Sequence, residues 1–252
     1  MEEKIQEAAR ILAGSKHIVA FTGAGMSVES GIPPFRGEGG IWNQYDPDAL
    51  EIEYYYRHTQ ESWNIIRKVF YDYFNNSEVQ PNPGHRVLAK WEKEGRLDCV
   101  ITQNIDDLHT VAGNKNVLEF HGNMSRFLCS KCGVKFPAKS IKFTETPPLC
   151  EQCGGLLKPD FIFFGEGIPQ EAYYGSIDAA EKCDTFVIIG TSGQVSPANM
   201  IPGIAKNHGA KIIEINREPS TYTKHISDLY LEGKSGEILP KIDELMGQAN
   251  LA

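Results

Sequence analysis

The segment from His17 to Thr22 is a short apolar strand that runs directly into Gly23-Ala24-Gly25. A strand followed by a G-x-G turn is typical of nucleotide-binding loops in α/β folds, where glycines let the backbone approach a pyrophosphate. The full dinucleotide fingerprint needs a third glycine at position 28, where this chain has Val28. The sequence therefore predicts a nucleotide site on a parallel sheet, without the complete loop of a hydride-transfer enzyme.

Strand-like apolar segments alternate with helical patterns along most of the chain. Several predicted strands, such as CVIT at 99–102, are continuously apolar, which is typical of parallel strands covered on both faces. The alternation predicts a doubly wound, Rossmann-like α/β sheet. The predicted strands span 17–22, 97–102, 117–120, 184–189, 211–215 and 227–231, and the predicted helices 2–13, 83–94, 106–112, 171–182, 198–208 and 237–246.

Two stretches interrupt this alternation. Residues 46–80 are rich in aromatic side chains and have a helical pattern with no strand partner, and residues 124–159 contain four of the six cysteines. We interpret both as insertions. The predicted division is a Rossmann-like nucleotide-binding domain (1–40, 81–123 and 160–252), a helical module (41–80) and a four-cysteine zinc ribbon (124–159).

The clustered cysteines have the spacing of a zinc site. Cys129-x-x-Cys132 is followed after 17 residues by Cys150-x-x-Cys153. Two such turns complete a tetrahedron of thiolates with no open position, which predicts one structural zinc ion per chain rather than a catalytic metal. Cys99 and Cys183 have apolar neighbours and are predicted to be small buried side chains.

Composition and net charge argue against several classes of protein. The formal net charge of −8 argues against a protein that binds nucleic acid through phosphate contacts. No apolar run approaches the roughly 20 residues that span a bilayer. The charged, amphipathic N-terminal segment is unlike a secretory signal, so we expect a cytoplasmic protein with reduced cysteines and no membrane partner.

Three polar residues, Gln103, Asn104 and Asp106, follow the predicted strand 97–102, with Ile105 between the last two. Ligands bind at the carboxyl ends of strands in open α/β sheets, and these side chains are suited to bind a ribose and a carboxamide. The alternative is that Asn104 or Asp106 only caps the next helix, and the motif alone does not decide between the two.

His121 follows another predicted strand and precedes Gly122. Its position meets the geometric requirement for a general base, although a lone histidine is more often structural. Gly190-Thr191-Ser192 and Asn216 end two later strands and are suited to a nucleotide cradle and a ribose contact. The apolar segment 161–166 is predicted to pack in the core or to offer an edge to an extended peptide.

Together these motifs resemble the sirtuins, a family of NAD-dependent protein-lysine deacylases, and the compact length resembles archaeal and bacterial members. The resemblance spans nearly the whole chain. In chain order, the motifs are GAGMSVESGIPPFR at 23–36, TQNID at 102–106, FHG at 120–122, the two C-x-x-C pairs, FGE at 164–166, GTS at 190–192 and Ile215-Asn216.

The resemblance implies a Rossmann-like domain with a small domain made of the zinc ribbon and the helical module. NAD and an acyl-lysine peptide would enter the cleft between them. NAD would be consumed as a co-substrate, with nicotinamide and O-acetyl-ADP-ribose as products. His121 would be the general base on a ribose hydroxyl, with Asn104 and Asp106 as further catalytic residues.

The resemblance also implies binding roles for residues at matching positions. Those for NAD are Gly23, Ala24, Gly25, Ser27, Phe35, Arg36, Gln103, Ile105, Gly190, Thr191, Ser192, Asn216, Arg217, Lys234 and Ser235. The Gly23–Gly25 amides and Arg36 would hold phosphate, Phe35 would shield the reactive face, and Asp106 with Ile105 would hold the carboxamide. Those for the peptide are Ile162, Phe163, Gly165, Glu166, Gln194 and Val195.

Two departures from the family pattern bear on the acyl group. Family members that act on succinyl or malonyl groups have a Tyr-x-x-Arg pair, whereas the expected position here has Asn64 and Arg67, and Tyr54 with Arg57 lies earlier. Gly193 replaces a leucine of many relatives and is expected to loosen the wall of the acyl tunnel. We favour acetyl and keep acidic acyl groups open.

The expected partners are acetyl-lysine-containing proteins, such as chromatin proteins or metabolic enzymes. Two other functions are kept open. One is protein ADP-ribosyl transfer, and the other is a nucleotide- and zinc-binding module without turnover. The presence of His121, Asn104 and Asp106 speaks against the second of these.

Overall fold

The computed structural model describes residues 1–34, 39–72, 79–141 and 147–249. The strands are β1 (Ile18–Thr22), β2 (Leu97–Thr102), β3 (Val117–Glu119), β4 (Gly122–Cys129), β5 (Lys135–Pro137), β6 (Leu157–Phe161), β7 (Thr185–Ile189), β8 (Lys211–Asn216) and β9 (Leu229–Glu232). The α-helices are α1 (Glu2–Gly14), α2 (Ile52–Arg57), α3 (Thr59–Ile66), α4 (Pro83–Lys93), α5 (Leu108–Ala112), α6 (Gln170–Lys182), α7 (Ile201–Asn207) and α8 (Ser235–Ala249).

In the described residues, the larger sheet has six parallel strands in the order β3-β2-β1-β7-β8-β9. These are the six strands predicted from the sequence. Every residue of β1 is buried, because alternate side chains enter two different cores. Ile18 and Ala20 pack with α1, α4 and α8, whereas Val19 and Phe21 pack with α6 and α7. The continuous apolar runs thus reflect a sheet covered on both faces.

The predicted helices are present, with boundaries that differ from the predicted ones by up to three residues. Helix α5 was predicted from residue 106 but begins at Leu108. Asp107 has a φ of 65°, in the left-handed region, and a residue in that conformation cannot continue a right-handed helix.

The smaller sheet is antiparallel in the order β5-β4-β6 and carries the cysteines. Its core is aromatic and is shared with the segment from 41 to 71, where Trp63 and Tyr71 both pack against Phe127 of β4. The two predicted insertions therefore pack together around one core. The exact domain boundaries stay predictions.

The order of strands in the larger sheet determines where a ligand can bind. The chain passes from β1 to β2 and β3 on one side, and later places β7 on the other side of β1. Loops after β1 and β7 therefore leave the sheet in opposite directions, and this switch point is the usual ligand crevice of an open α/β sheet. Within the described ranges, no helix is both long and apolar enough to cross a membrane.

Candidate active site

Three glycines bring the loops after β1 and β7 into contact. A Cβ atom on Gly25 would lie 2.7 Å from Gly190 Cα, and one on Gly23 would lie 2.7 Å from Thr191 Cβ. The Gly23 and Gly25 amides donate to the carbonyls of Ile189 and Gly190, at 2.9 and 2.8 Å. The Gly23 and Gly25 amides are therefore already bonded within the protein, and the phosphate-binding role of the loop stays a prediction. These two glycines permit close packing of the loops, and among the described residues the Ala24 amide has no partner.

A cleft of about 320 Å³ opens at this switch point, within the usual size range of ligand pockets. Its lining falls into two groups of described residues. We call the polar half the set Gly23, Ala24, Gly25, Gln103, Asn104, His121, Gly190, Thr191 and Ser192. We call the apolar half the set Leu50, Phe70, Ile105, Phe161, Ile162, Phe163, Phe164, Ile168 and Val195. Pro34, Gly165, Glu166, Ser196 and Pro197 complete the lining.

Gln103 and Asn104 connect the loops of the polar half. The Gln103 Nε2 atom donates to Thr191 Oγ1 at 3.0 Å. The Asn104 Nδ2 atom donates to the Gly23 carbonyl at 3.0 Å and to Ser27 Oγ at 3.1 Å. Because both N–H groups of the Asn104 amide are used, its oxygen is the atom that remains to bind a hydroxyl or a water.

Asp106 lies behind the cleft and does not line it within the described residues. Its carboxylate accepts from Ser27 Oγ at 2.6 Å and from the Leu108 amide at the start of α5 at 2.9 Å. Burial raises the pKa of Asp106, and these two hydrogen bonds oppose the rise. Ser27 is also buried and accepts from Asn104 Nδ2, so the Ser27–Asp106 pair holds the Asn104 side chain in place. Asp106 thus bonds both to the site and to the first residue of α5, although the N-cap position of this helix is Asp107.

His121 has a defined tautomer. Its Nδ1 atom lies 3.0 Å from the Gln103 carbonyl oxygen, which can only accept, so Nδ1 carries the proton. The neutral ring then has its lone pair on Nε2. Burial lowers the pKa of His121, with the Gln103 hydrogen bond opposing, so the ring is neutral at physiological pH. A histidine in this state can accept a proton at Nε2.

A buried hydrogen-bond chain behind the polar half was not predicted. Thr22 Oγ1 donates to Thr102 Oγ1 at 2.9 Å and lies 3.0 Å from His109 Nε2, and Thr102 Oγ1 accepts from the Asn104 amide at 3.1 Å. Burial lowers the pKa of His109 well below its ordinary value. His109 is therefore neutral and supports the loop rather than exchanging protons with solvent. Its position mid-helix gave no signal of this role.

The aromatic wall of the apolar half was predicted only in part, because Phe163 was identified and Phe70 was not. Phe161 stacks on Phe163 with ring centroids 5.1 Å apart, and Phe70 lies 5.2 Å from Phe161. The predicted strand 161–166 is present only at Phe161, the last residue of β6. Phe163 is 1% exposed and Phe164 42%, so the segment is part core and part surface. The aromatic richness of residues 46–80 was the signal that could have indicated Phe70.

The predicted peptide residues lie mostly at the cleft. Ile162, Phe163, Gly165, Glu166 and Val195 line it, whereas Gln194 does not. The backbone of Phe164 is bonded to residues 50–52. Its amide donates to the Leu50 carbonyl, and its carbonyl accepts from the Ile52 amide.

Of the residues predicted for the adenosine half, Gly190, Thr191 and Ser192 line the polar half of the cleft, whereas Asn216, Arg217, Lys234 and Ser235 lie outside the described lining. Asn216 Nδ2 donates to the Thr191 carbonyl at 2.7 Å. Lys234 pairs with Glu237 at 3.1 Å, Arg217 is exposed, and Ser235 Oγ is buried with no partner in the described part of the chain. Phe35 and Arg36 lie outside the described residues.

The two departures that bear on the acyl group have structural outcomes. A Cβ atom on Gly193 would clash with Thr221 Oγ1 and would lie 2.7 Å from the Tyr222 ring, so this position is filled rather than loosened, contrary to the prediction. The Tyr54 hydroxyl donates to Glu61 on the exposed helical surface, and Arg57 pairs with Glu53. That pair is therefore unrelated to the cleft.

The four clustered cysteines fit a zinc ion. The Sγ atoms of Cys129 and Cys153 are 3.5 Å apart, those of Cys132 and Cys150 are 3.9 Å apart, and all four lie within 4.8 Å of one another. Tetrahedral zinc with Zn–S bonds of about 2.3 Å requires sulfurs about 3.8 Å apart. Four thiolates leave no open position, so the site fits a structural metal.

Comparisons with known proteins agree with this geometry. The Sir2 family model matches residues 23–197. NAD-dependent protein deacetylase 1 of Pyrobaculum aerophilum is 44% identical over 248 residues, covering 97% of this chain and 96% of that protein. A solved Sir2 homologue–NAD complex has a TM-score of 0.88 at 37% identity, covering 96% of this chain and 94% of that one. A Sir2 variant with a deacetylated p53 peptide and 3′-O-acetyl-ADP-ribose also has a TM-score of 0.88, at 32% identity, covering 95% and 97%.

Proposed function

The chain belongs to the Sir2 family, and from that premise we propose that it is an NAD-dependent protein-lysine deacetylase. It transfers the acetyl group of acetyl-lysine to ADP-ribose and releases nicotinamide. The observation that carries this proposal is His121, whose Nε2 lone pair has no partner among the described residues and lies in a cleft with one polar and one apolar half. A base between a nucleotide surface and an apolar channel is what acyl transfer from lysine to a ribose requires.

The residues of the polar half bind and orient the nucleotide. When bound, NAD supplies an electrophilic ribose carbon and a nicotinamide leaving group. The Gln103 carbonyl fixes the His121 ring so that Nε2 accepts the proton of a ribose hydroxyl. The Asn104 oxygen orders a hydroxyl or a water, and Asp106 acts with Ser27 to hold the loop that binds the carboxamide.

The roles that we propose for the remaining residues follow from their positions in the sequence and in the fold. We propose that Thr191, Ser192 and Asn216 bind the adenosine half, together with Gly190, Arg217, Lys234 and Ser235. Phe35 and Arg36 are proposed to cover the cofactor, with Arg36 on phosphate. The peptide is proposed to lie extended between 162–166 and 194–195. The cytoplasmic location stays a prediction.

The apolar half favours a neutral acyl group. No lysine or arginine is among the described residues that line the cleft, and Glu166 is the acidic residue there. A succinyl or malonyl carboxylate would lose its hydration without gaining a cation, which is strongly unfavourable. An acetyl group carries no charge and fits the wall of Phe70, Phe161 and Phe163. Acetyl-lysine proteins are therefore the proposed substrates, such as chromatin proteins or metabolic enzymes.

The test is incubation of the enzyme with NAD and an acetyl-lysine peptide, with the products identified by mass spectrometry. Nicotinamide and O-acetyl-ADP-ribose should form together, and only when the acetylated peptide is present. The unacetylated peptide is the matched control. ADP-ribose attached covalently to protein, with no O-acetyl-ADP-ribose, would instead identify an ADP-ribosyltransferase.

A further inference from the structure

Lys158 of β6 is buried, with 4% of its surface exposed. Its ammonium donates to the carbonyls of Pro159 at 3.1 Å and Phe161 at 2.9 Å, and to Glu166 Oε2 at 3.0 Å. An ammonium has three N–H donors, so these three acceptors satisfy it completely. The ammonium also lies 4.4 Å from the centroid of the Phe163 ring, a favourable cation–π distance.

Glu166 extends this arrangement to the middle of the segment. The same oxygen that accepts from Lys158 also accepts from the Phe163 amide at 3.0 Å. One ammonium and one carboxylate therefore join the beginning, the middle and the end of residues 158–166. We call this pair, with its bonds to Pro159, Phe161 and Phe163, the Lys158–Glu166 clamp.

The clamped segment forms one side of the cleft. Every residue from Phe161 to Glu166 lines it. The Phe164 amide and carbonyl bond to Leu50 and Ile52. The Glu166 amide donates to the Phe163 carbonyl at 3.0 Å and Gly165 has a φ of 82°, so the segment turns at its end, where Lys158 holds Glu166.

A charged residue at position 158 needs a reason beyond stability. Burial lowers the pKa of Lys158, and the nearby Glu166 carboxylate opposes this, so holding the charge here costs free energy. A buried ion pair is commonly no more stabilising than apolar side chains of similar volume. An apolar side chain, however, could not bond to three oxygens at separate points of the segment.

We propose that Lys158 is a positioning residue for the peptide: the Lys158–Glu166 clamp holds residues 161–166 in the shape that binds an extended acetyl-lysine peptide. The inference rests on the proposed function for the identity of the peptide. Lys158 does not line the cleft and acts only through the segment that it holds.

The experiment compares Lys158→Met with Lys135→Met. Lys135 lies on β5 of the same small sheet, is exposed and pairs with Asp160 at 3.0 Å, but it makes none of the clamp's hydrogen bonds, so it is the matched control. Calorimetry measures binding of an acetyl-lysine peptide in the presence of ADP-ribose, and separately binding of ADP-ribose alone. Neither measurement requires turnover.

For Lys158→Met we expect peptide binding weaker by at least about tenfold, as when a charged hydrogen-bond partner is lost. ADP-ribose affinity should stay within about twofold, because the polar half is unchanged, and Lys135→Met should match the wild type in both. In turnover, the peptide KM should rise by the same factor while kcat changes by less than about threefold. Equal peptide affinity in Lys158→Met and wild type would overturn the proposal.

Glu166→Gln and the double variant keep the test decisive if Lys158→Met does not fold. Glu166→Gln keeps an oxygen for the Phe163 amide and loses the charge, so peptide binding should weaken by at least about threefold. Because the two residues act as a unit, the double variant should lose less affinity than the product of the single losses. Fully multiplicative losses would contradict the clamp. A wild type that binds the peptide without turnover would refute the proposed function alone.

Discussion

The polar half of the cleft is built from loops that follow adjacent parallel strands, whereas the apolar half is built mainly from residues 50–70 and 161–166. In the polar half, Gly23 and Gly190 lie next to the strands that place them, and hydrogen bonds fix the geometry. In the apolar half, Phe70 and Phe161 meet across 91 residues of sequence, and aromatic packing fixes the geometry. Short sequence motifs are therefore sufficient to identify the residues of the polar half, whereas the residues of the apolar half can be identified only from the complete fold.

Loss of the zinc cluster should have the largest effect, because it removes the support of the apolar half. Cys129→Ser should give insoluble protein, since metal binding contributes folding free energy to the small sheet. Cys183→Ser is the matched control, because Cys183 is a buried thiol outside the cluster. Elemental analysis of the wild type should find one zinc per chain. Soluble, metal-free wild-type protein would show that the apolar half forms without metal.

His121→Ala tests the polar half with the fold intact. The rate of O-acetyl-ADP-ribose formation should fall by at least about 10²-fold, as expected for loss of a general base. The melting temperature should stay close to that of the wild type, because the side chain makes one hydrogen bond in the described structure. His208→Ala, at an exposed helix end, is the control. Turnover near the wild-type rate would remove His121 from the mechanism.

Asp106→Asn separates stability from activity. Burial raises the pKa of Asp106, so its charged form costs free energy in the folded state. At neutral pH the variant should therefore be more stable, and its Tm should be higher than that of the wild type. This advantage should disappear below the ordinary aspartate pKa of 3.8, where the wild-type carboxyl is protonated in both states.

Activity of the same variant should fall by about tenfold or more, because the amide no longer accepts from Ser27. The variant keeps an oxygen for the Leu108 amide, so the start of α5 should be unchanged. Full activity with the expected gain in stability would reduce Asp106 to a helix-capping residue.

The pH profile gives the smallest expected effect. Burial lowers the pKa of His121 from its ordinary value of 6.5, so the pH at which half of the rings are deprotonated lies below 6.5. The kcat/KM value at pH 6.5 should therefore exceed half of its plateau. An acid limb with its midpoint above 6.5 would indicate that His121 is stabilised in its charged form, contrary to its surroundings.

Much of the polar half could be predicted from the sequence because each residue there follows a strand. His121, Asn104 and Gly190 were identified from this rule and all line the cleft. The rule did not reveal that the Gly23 and Gly25 amides are already bonded, because their acceptors lie at the end of β7 and directly after it, more than 160 residues away. Sequence motifs indicate which residues meet a ligand more readily than which of their atoms remain free.

The apolar half could be predicted only in outline. Phe163 was identified through its resemblance to a family motif, whereas Leu50 and Phe70 were missed. Their contribution depends on packing between two insertions, and side chains such as Phe70 have the same apolar pattern whether they line a cleft or fill a core. The prediction for Gly193 failed for a similar reason, since Thr221 and Tyr222 fill the space from a distant loop.

The most direct test of this division of the cleft is to compare acetyl-lysine and succinyl-lysine on the same peptide, with NAD saturating. If the apolar half is neutral, kcat/KM should be at least about 10²-fold higher for the acetyl peptide, because a buried unpaired carboxylate is strongly disfavoured. Equal or faster turnover of the succinyl peptide would contradict the account, because it would require a cation in the acyl channel.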